Sequence, residues 1–354
     1  MSAGQVRIAL LGIGNRALPK KPEGSNFAGW VEQIARCPHT QLVAAQDPSE
    51  EARARMTERG HLQPDQVFVD AEAMLANVEA DAVLVCTPGE FHAAGARLAI
   101  NAGLHLMLEK PFVTDLAEGR ALLGALDRAG LVSTVVQNWR YKDLGRRIRA
   151  FIAAGELGRV GQVFFRYVRN RENPNYPAYL FAEQYPLLYA MGSHHLDLFR
   201  HVLADEVVEV TGQAFRPPWS MYTSVTGHNL GLRTAGGVFI TYAATFSSMN
   251  SGLPQESLVI EGEKGTLAND SDWAEPPLLF YPKGRKEPVD LTADVADPST
   301  RGQYDAADEF ILADFAQAIM QGRASDCTAL DSFRSLELVE ACRSACETGK
   351  TVTL

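Results

Sequence analysis

The apolar positions of the chain fall into two regimes. Over residues 6–137, short continuous apolar runs alternate with stretches of helical spacing. Residues 6–11 form a compact apolar run ending at Gly12, as expected of a strand buried on both faces. Residues 27–36 then place Phe27, Trp30, Val31 and Ile34 at helical spacing. Further strands are expected at 41–45, 67–69, 82–86, 105–108 and 131–137, and further helices at 49–59, 71–75, 90–102 and 116–129. Gly103 stands just past one of these helices, where a left-handed cap is expected. Strict alternation of this kind predicts a parallel, doubly wound sheet, with ligands at the carboxyl ends of its strands.

From residue 138 onward the pattern changes. A helix at 144–154 and a glycine-rich turn at 155–161 lead into strands at 162–169, 206–214, 230–233, 238–246 and 257–261. Several show period-2 alternation, and no long helices separate the later ones, so this sheet is expected to be largely antiparallel with one covered face. Residues 270–303, rich in Pro, Asp and Gly, read as loop. Helices at 309–320 and 331–348 close the chain. The predicted organisation is a dinucleotide-binding domain over 1–137 and a substrate-binding and oligomerisation domain over 138–354.

Composition narrows the class. The 354 residues carry 33 Lys plus Arg against 43 Asp plus Glu, a net charge of −10. An acidic chain gains little from phosphate neutralisation, so nucleic acid is not an expected partner. No apolar run approaches the roughly 20 residues of a membrane span. No basic stretch followed by an apolar segment opens the chain, which points to a cytoplasmic protein. The cysteines Cys37, Cys86, Cys327, Cys342 and Cys346 are odd in number and form no C-x-x-C pair, so no disulfide framework is expected. No spacing supports a metal site.

Candidate chemistry lies at the strand ends. Gly12-Ile13-Gly14-Asn15-Arg16-Ala17 fits G-x-G-x-x-[G/A], whose glycines let a backbone turn approach a pyrophosphate at a helix N-terminus. Alone, such a turn is as often only a turn. Pro19 and Pro22 forbid an immediate helix and imply an insertion of about ten residues. Lys20 and Lys21 within it either approach the site or are solvated. Asp47 ends the second strand, where an acidic residue holds the adenosine ribose and favours NAD, with NADP not excluded. The competing reading is a turn-starting Asp before Pro48. Thr87, Pro88 and His92 follow the fourth strand and are placed to touch a cofactor or brace a helix. Glu109-Lys110-Pro111 ends the fifth. A Lys there can hold a substrate hydroxyl and stabilise developing alkoxide charge, or can be half of a surface ion pair. Gly192-Ser193-His194-His195-Leu196-Asp197 opens a helix on which His194 and Asp197 share a face. For His195 and His201 a structural role is the competing reading.

Together these residues resemble the Gfo/Idh/MocA oxidoreductase family. The resemblance rests on Gly12-Ile13-Gly14, Asp47, Thr87-Pro88 to His92 and Glu109-Lys110-Pro111, followed in the family's order by Arg140, Leu157-Gly158-Arg159-Val160-Gly161, Gly192 to Asp197 and Ile260 to Leu267. It covers nearly the whole chain. It implies an N-terminal Rossmann domain and a C-terminal α/β domain whose open, mostly antiparallel sheet makes a homodimer or homotetramer. It implies hydride transfer between nicotinamide and a carbinol carbon of a sugar, glycoside, sugar acid or cyclitol. Lys110 matches the family's active-site lysine and His194 its catalytic histidine. Gly12, Ile13, Gly14, Asn15, Asp47, Thr87, Pro88, His92, Glu109 and Lys110 become the expected cofactor contacts. Two departures stand out. Ala190 replaces the Asp that many relatives carry four residues before the histidine, and Gly89 replaces an Asn. Tyr189, Tyr185, Glu183 and His195 are candidates to supply the missing polar group. The expected substrate contacts are therefore Lys110, Arg140, Tyr189, His194 and His195. The lost Asp keeps two alternatives open: glycoside cleavage by a retained cofactor with no net redox, and a sugar sensor without catalysis.

Overall fold

A computed structural model describes residues 4–20, 28–249, 254–269, 277–292 and 304–354. The chain divides into two compact units, Met1–Tyr141 with Gln303–Leu336, and Lys142–Gly302 with Glu337–Leu354.

The first unit is built on β1 (Val6–Leu11), β2 (Thr40–Gln46), β3 (Val67–Phe68), β4 (Ala82–Val85), β5 (His105–Leu108) and β6 (Ser133–Val135). All pair in parallel, in the order β3-β2-β1-β4-β5-β6. Helices α1 (Trp30–Arg36), α2 (Glu50–Glu58), α3 (Ala71–Asn77), α4 (His92–Asn101) and α5 (Leu116–Ala129) connect them. The apolar run of β1 is continuous because both faces are covered. Ile8 and Leu10 join a core with Trp30, Ile34 and Met107, while Ala9 and Leu11 join another with Ala96, Leu122 and Leu126. Ser49, Asp70 and Asp115 cap α2, α3 and α5 by accepting backbone N–H bonds.

The second unit holds α6 (Asp143–Ala153), β7 (Val160–Val168), α7 (Ser193–Leu203), β8 (Val207–Phe215), β9 (Gly227–Thr234), β10 (Phe239–Thr245), β11 (Glu256–Gly262), β12 (Gly265–Asn269), β13 (Leu279–Pro282) and β14 (Val289–Asp290). The chain then closes with α8 (Tyr304–Gln321), α9 (Ala329–Thr348) and β15 (Val352–Thr353). The sheet order is β14-β13-β12-β11-β7-β10-β9-β8-β15, antiparallel except for β7 beside β10. One face is core: Phe165 packs edge-on against Phe199 of α7, with ring centroids 5.3 Å apart. The other face is open, with Phe164, Phe215 and Phe239 exposed.

Two details depart from the sequence reading. Within 270–303, the described residues form β13 and β14 rather than loop alone; 270–276 and 293–303 lie outside the described residues. Helix α8 packs in the first unit, where Ile311, Leu312 and Phe315 enter the core shared with Ile8 and Leu10. Ala329 and Phe333 enter the core on the other side of that sheet.

Candidate functional site

The nucleotide turn is formed as its glycines require. Gly12 has φ +89°, and a Cβ there would stand 2.9 Å from the Cys86 carbonyl carbon and oxygen and from the Thr87 nitrogen. Only glycine lets β1 exit this close to the end of β4. At Gly14 a Cβ would make only an ordinary contact, with the Cys86 oxygen at 3.8 Å. The Thr87 hydroxyl oxygen is buried with no hydrogen-bond partner among the described residues. A backbone cradle beside an unsatisfied hydroxyl fits a pyrophosphate-bearing cofactor.

The expected break after the turn is present, in an unexpected form. A single helical turn forms first, with the Ala17 and Leu18 N–H groups on the Gly14 carbonyl. The chain then leaves at Pro19. It returns at Gly29, whose φ is +89° and whose Cβ would meet Pro19 and the Ala17 carbonyl. The Trp30 and Val31 N–H groups then bond the Arg16 and Ala17 carbonyls, at 3.1 and 3.0 Å. α1 thus continues the first turn as if the insertion were absent. Asn15 accepts from the Lys20 N–H at the insertion's start, and Asp305 accepts from the Ala28 N–H at its end. Lys20 pairs with Glu51; Lys21 and Phe27 lie outside the described residues.

Asp47 is tied to the turn itself. Its Oδ2 accepts from the Ile13 N–H at 2.7 Å and its Oδ1 from the Ser49 N–H at 2.8 Å. Arg55 donates to the Ile13 carbonyl, and Arg53 to the Asp47 and Pro48 carbonyls. His92 is buried, with its ring nitrogens 2.6 Å from the Pro111 carbonyl and 2.9 Å from the Thr87 carbonyl. Expected as a cofactor contact, it instead ties the end of β4 to the end of β5, because both ring nitrogens are taken by backbone. Pro88 leads into a short 3₁₀ turn. Lys110 is partly exposed at the carboxyl end of β5, and the Lys110–Pro111 peptide is cis.

Glu109 faces inward. Its Oε1 accepts from Arg16 Nε at 2.7 Å and from Trp30 Nε1 at 2.8 Å. Arg16 also donates to Asp308 of α8 at 3.0 Å and lies over the Trp30 ring, 5.1 Å from its centroid. Burial, with Glu109 and Asp305 nearby, pushes the Asp308 carboxyl up to about 7 against the opposing pull of Arg16. Glu109 therefore corrects the sequence reading: its carboxylate braces the site from behind. Arg140, expected at the substrate, is buried, and its guanidinium pairs with Asp331. The residues that sequence reasoning missed here are Trp30 and Asp308. Their only signal was an apolar helix stripe and an acidic helix start, neither of which points to a partner far along the chain.

In the second unit, a wide turn precedes the histidine pair. Leu188–Gly192 is π-helical, and the Ser193 N–H reaches back five residues to the Leu188 carbonyl. Such turns recur at functional sites. The Tyr189 hydroxyl donates to Glu340 at 2.5 Å, and burial with that carboxylate raises its pKa. His194 is buried at the start of α7. His195 is fully buried among Phe165, Tyr167 and Tyr242, with Nδ1 2.6 Å from the Tyr242 hydroxyl. Burial, with His228 and Lys142, drives its pKa well down. The expectation of a substrate contact at His195 is overturned by this aromatic core. Asp197 is buried beside Arg200, which grips Glu206 through two bonds at 2.6 and 2.7 Å.

Among the described residues no helix is long and apolar enough to cross a membrane. Comparison with known proteins gives a consistent result. Residues 6–137 match the model of an oxidoreductase family with an NAD-binding Rossmann fold, and residues 146–268 match the GFO/IDH/MocA C-terminal domain. The y4oX protein of Sinorhizobium fredii is 25% identical over 226 residues, and the chain spans 62% of that protein's length. D-apiose dehydrogenase of Paraburkholderia graminis is 24% identical over 311 residues, covering 82% of this chain and 77% of the relative. An Agrobacterium radiobacter oxidoreductase, solved with NAD+, L-tartaric acid and magnesium, has the same fold. Its TM-score is 0.83 at 18% identity, over 99% of this chain and 98% of that one.

Proposed function

The chain belongs to the GFO/IDH/MocA oxidoreductase family, and from that premise we propose that it is an NAD-dependent dehydrogenase acting on a secondary hydroxyl of a sugar, glycoside or cyclitol. The observation that carries this reading is the partly exposed Lys110 at the carboxyl end of β5, in the same sheet as the Gly12 cradle. The similarity to D-apiose dehydrogenase supports the substrate class.

Gly12, Ile13, Gly14 and Asn15 would hold the pyrophosphate, Thr87 and Pro88 would line its path, and Asp47 would receive the ribose hydroxyls. Bound NAD supplies the acceptor for the hydride leaving the carbinol carbon. Lys110 donates a hydrogen bond to the substrate oxygen and stabilises the negative charge that grows there. His194 takes the hydroxyl proton, since imidazole is the side chain whose ordinary charge change falls near neutral pH. Tyr189 lies on the wide turn before His194. In a regular α-helix a residue five positions back faces away, whereas a five-residue turn brings it round. Its oriented hydroxyl is the group we assign in place of the acid missing at Ala190. The open face of the second sheet, with Phe164 opposite Thr241 and Val259, is the surface we assign to a homodimer or homotetramer.

The test is nicotinamide absorbance with NAD or NADP and a panel of sugars, glycosides and inositols. Turnover that falls about 10²–10⁴-fold in Lys110→Ala and in His194→Ala supports the assignment. Wild-type turnover in the double variant rules it out. Glycoside cleaved without accumulated NADH would replace the reaction by the redox-neutral alternative.

A further inference from the structure

Behind Lys110 lies a charged cluster that the proposed chemistry does not use. Arg16 belongs to the nucleotide turn, Glu109 immediately precedes Lys110, and Asp308 sits on α8. One guanidinium joins all three segments: Nε to Glu109 at 2.7 Å and Nη2 to Asp308 at 3.0 Å. Trp30, the first residue of α1, adds its indole N–H to the same Glu109 oxygen at 2.8 Å. The Arg16 carbonyl accepts the Trp30 N–H, so backbone and side chain of one residue hold both halves of the interrupted helix. Asp308 is 1% exposed, and its Oδ1 has no hydrogen-bond partner among the described residues.

We propose that Arg16 is a positioning residue that locks the nucleotide turn and the Glu109–Lys110 strand end into one unit, with Asp308 as the group whose ionisation sets how tightly it is locked. The inference rests on the proposed role of Lys110. A guanidinium presents its donors in a rigid fork, so two carboxylates on different segments fix its plane and, through it, the turn. Lys cannot reproduce that geometry. Protonating Asp308 removes the charge of one of the two anions that Arg16 donates to and weakens its hold on α8.

The charged groups acting on Asp308 are Arg16 from the turn, Glu109 from the end of β5 and Asp305 from α8 itself. Cys86, at the end of β4, lies near Glu109, Arg16 and Asp308, and burial keeps its thiol protonated. α1 contributes Trp30, an uncharged donor. Arg140, which precedes α6, is engaged by Asp331. With two carboxylates and one guanidinium enclosed together, one negative charge is in excess, and burial pushes Asp308 up to about 7. Ionised Asp308 holds the turn; cofactor affinity is therefore expected to fall as pH drops below about 7.

NADH titration of the full-length protein, followed by fluorescence, tests this without a sugar. In Arg16→Lys, NADH affinity should fall about tenfold. With the sugar found to turn over, kcat should fall about 10²-fold, the cost of a small misplacement, while the sugar KM stays unchanged. In Asp308→Asn, which is isosteric and keeps an acceptor for Arg16, the pH dependence of NADH affinity between about pH 6 and 8 should vanish. That variant carries the test if Arg16→Lys does not fold. Wild-type NADH affinity in Arg16→Lys, or a wild-type pH response in Asp308→Asn, overturns the proposal. So does a lowered melting temperature with NADH affinity and kcat unchanged, which would mark the cluster as structural only. If no sugar is turned over but the NADH responses follow these expectations, the dehydrogenase reading fails and the coupling of Arg16 and Asp308 to the turn stands.

Discussion

Gly12→Ala is the sharpest perturbation of the cofactor cradle. Two costs combine there. A non-glycine residue in the left-handed region costs about 1–2 kcal/mol. The new methyl would also stand 2.9 Å from three backbone atoms of Cys86 and Thr87, none of which can rotate away. Relieving such overpacking costs a further 1–3 kcal/mol, roughly, and requires the ends of β1 and β4 to part. The total expected loss is about 2–5 kcal/mol. Gly103 supplies the control: its φ is +69°, but a Cβ there meets nothing within 4 Å. Gly103→Ala should therefore show only the conformational cost, about 1–2 kcal/mol. Denaturant unfolding of both variants measures the difference, and NADH titration locates it. Gly12→Ala should bind NADH at least about tenfold more weakly, and Gly103→Ala as the wild type does. Equal stability and equal NADH affinity in the two variants would refute the close approach of the turn to β4.

The adjacent histidines should separate cleanly. His194→Ala should lose about 10²–10⁴-fold in kcat with NADH binding intact. His195→Ala should instead lose about 2–4 kcal/mol of stability, because it opens a cavity in an aromatic core and strips Tyr242 of its partner. Asp308, raised from 3.8 to about 7, contributes stability that is fully present below about pH 4. That contribution is lost as pH rises toward 7, on the order of 4 kcal/mol in all. Unfolding of wild type and Asp308→Asn across that window should diverge accordingly. His228, lowered by burial from 6.5 to about 3, acts in the opposite direction. The unfolded chain binds its proton first, so stability should fall as pH drops below about 6.5, and less steeply in His228→Gln.

Local signals carried much of the architecture. The apolar run of β1, the glycines after it and the β-α alternation are all written within short windows, and the parallel sheet follows from them. The helix-breaking Pro19 and Pro22 revealed the insertion correctly. They did not reveal that Trp30 and Val31 resume bonding to Arg16 and Ala17, because that splice joins residues far apart in the chain. β13 and β14 were hidden for a related reason: two- and four-residue strands at a sheet edge have too few positions for period 2 to register. Placement was legible where one residue type ends a strand, as with the tight turn at Gly12 and Lys110 at the carboxyl end of β5. At His92, Glu109, Arg140 and His195 the fold turns the side chains toward partners of its own; for His92 and His195 this is the bracing or structural role that stood as the competing reading. His194 and His195 are neighbours in sequence, and only the packing of Phe165, Tyr167 and Tyr242 tells them apart.

The central claim is hydride transfer from a sugar or cyclitol carbinol, with Lys110 holding the oxygen and His194 taking its proton. The most direct measurement is NADH formation by the purified chain across that substrate panel, alongside the Lys110→Ala, His194→Ala double variant. NADH should appear with one substrate class and form more slowly, by about 10²-fold or more, in the variant. NADH formation at the wild-type rate in the double variant would contradict it.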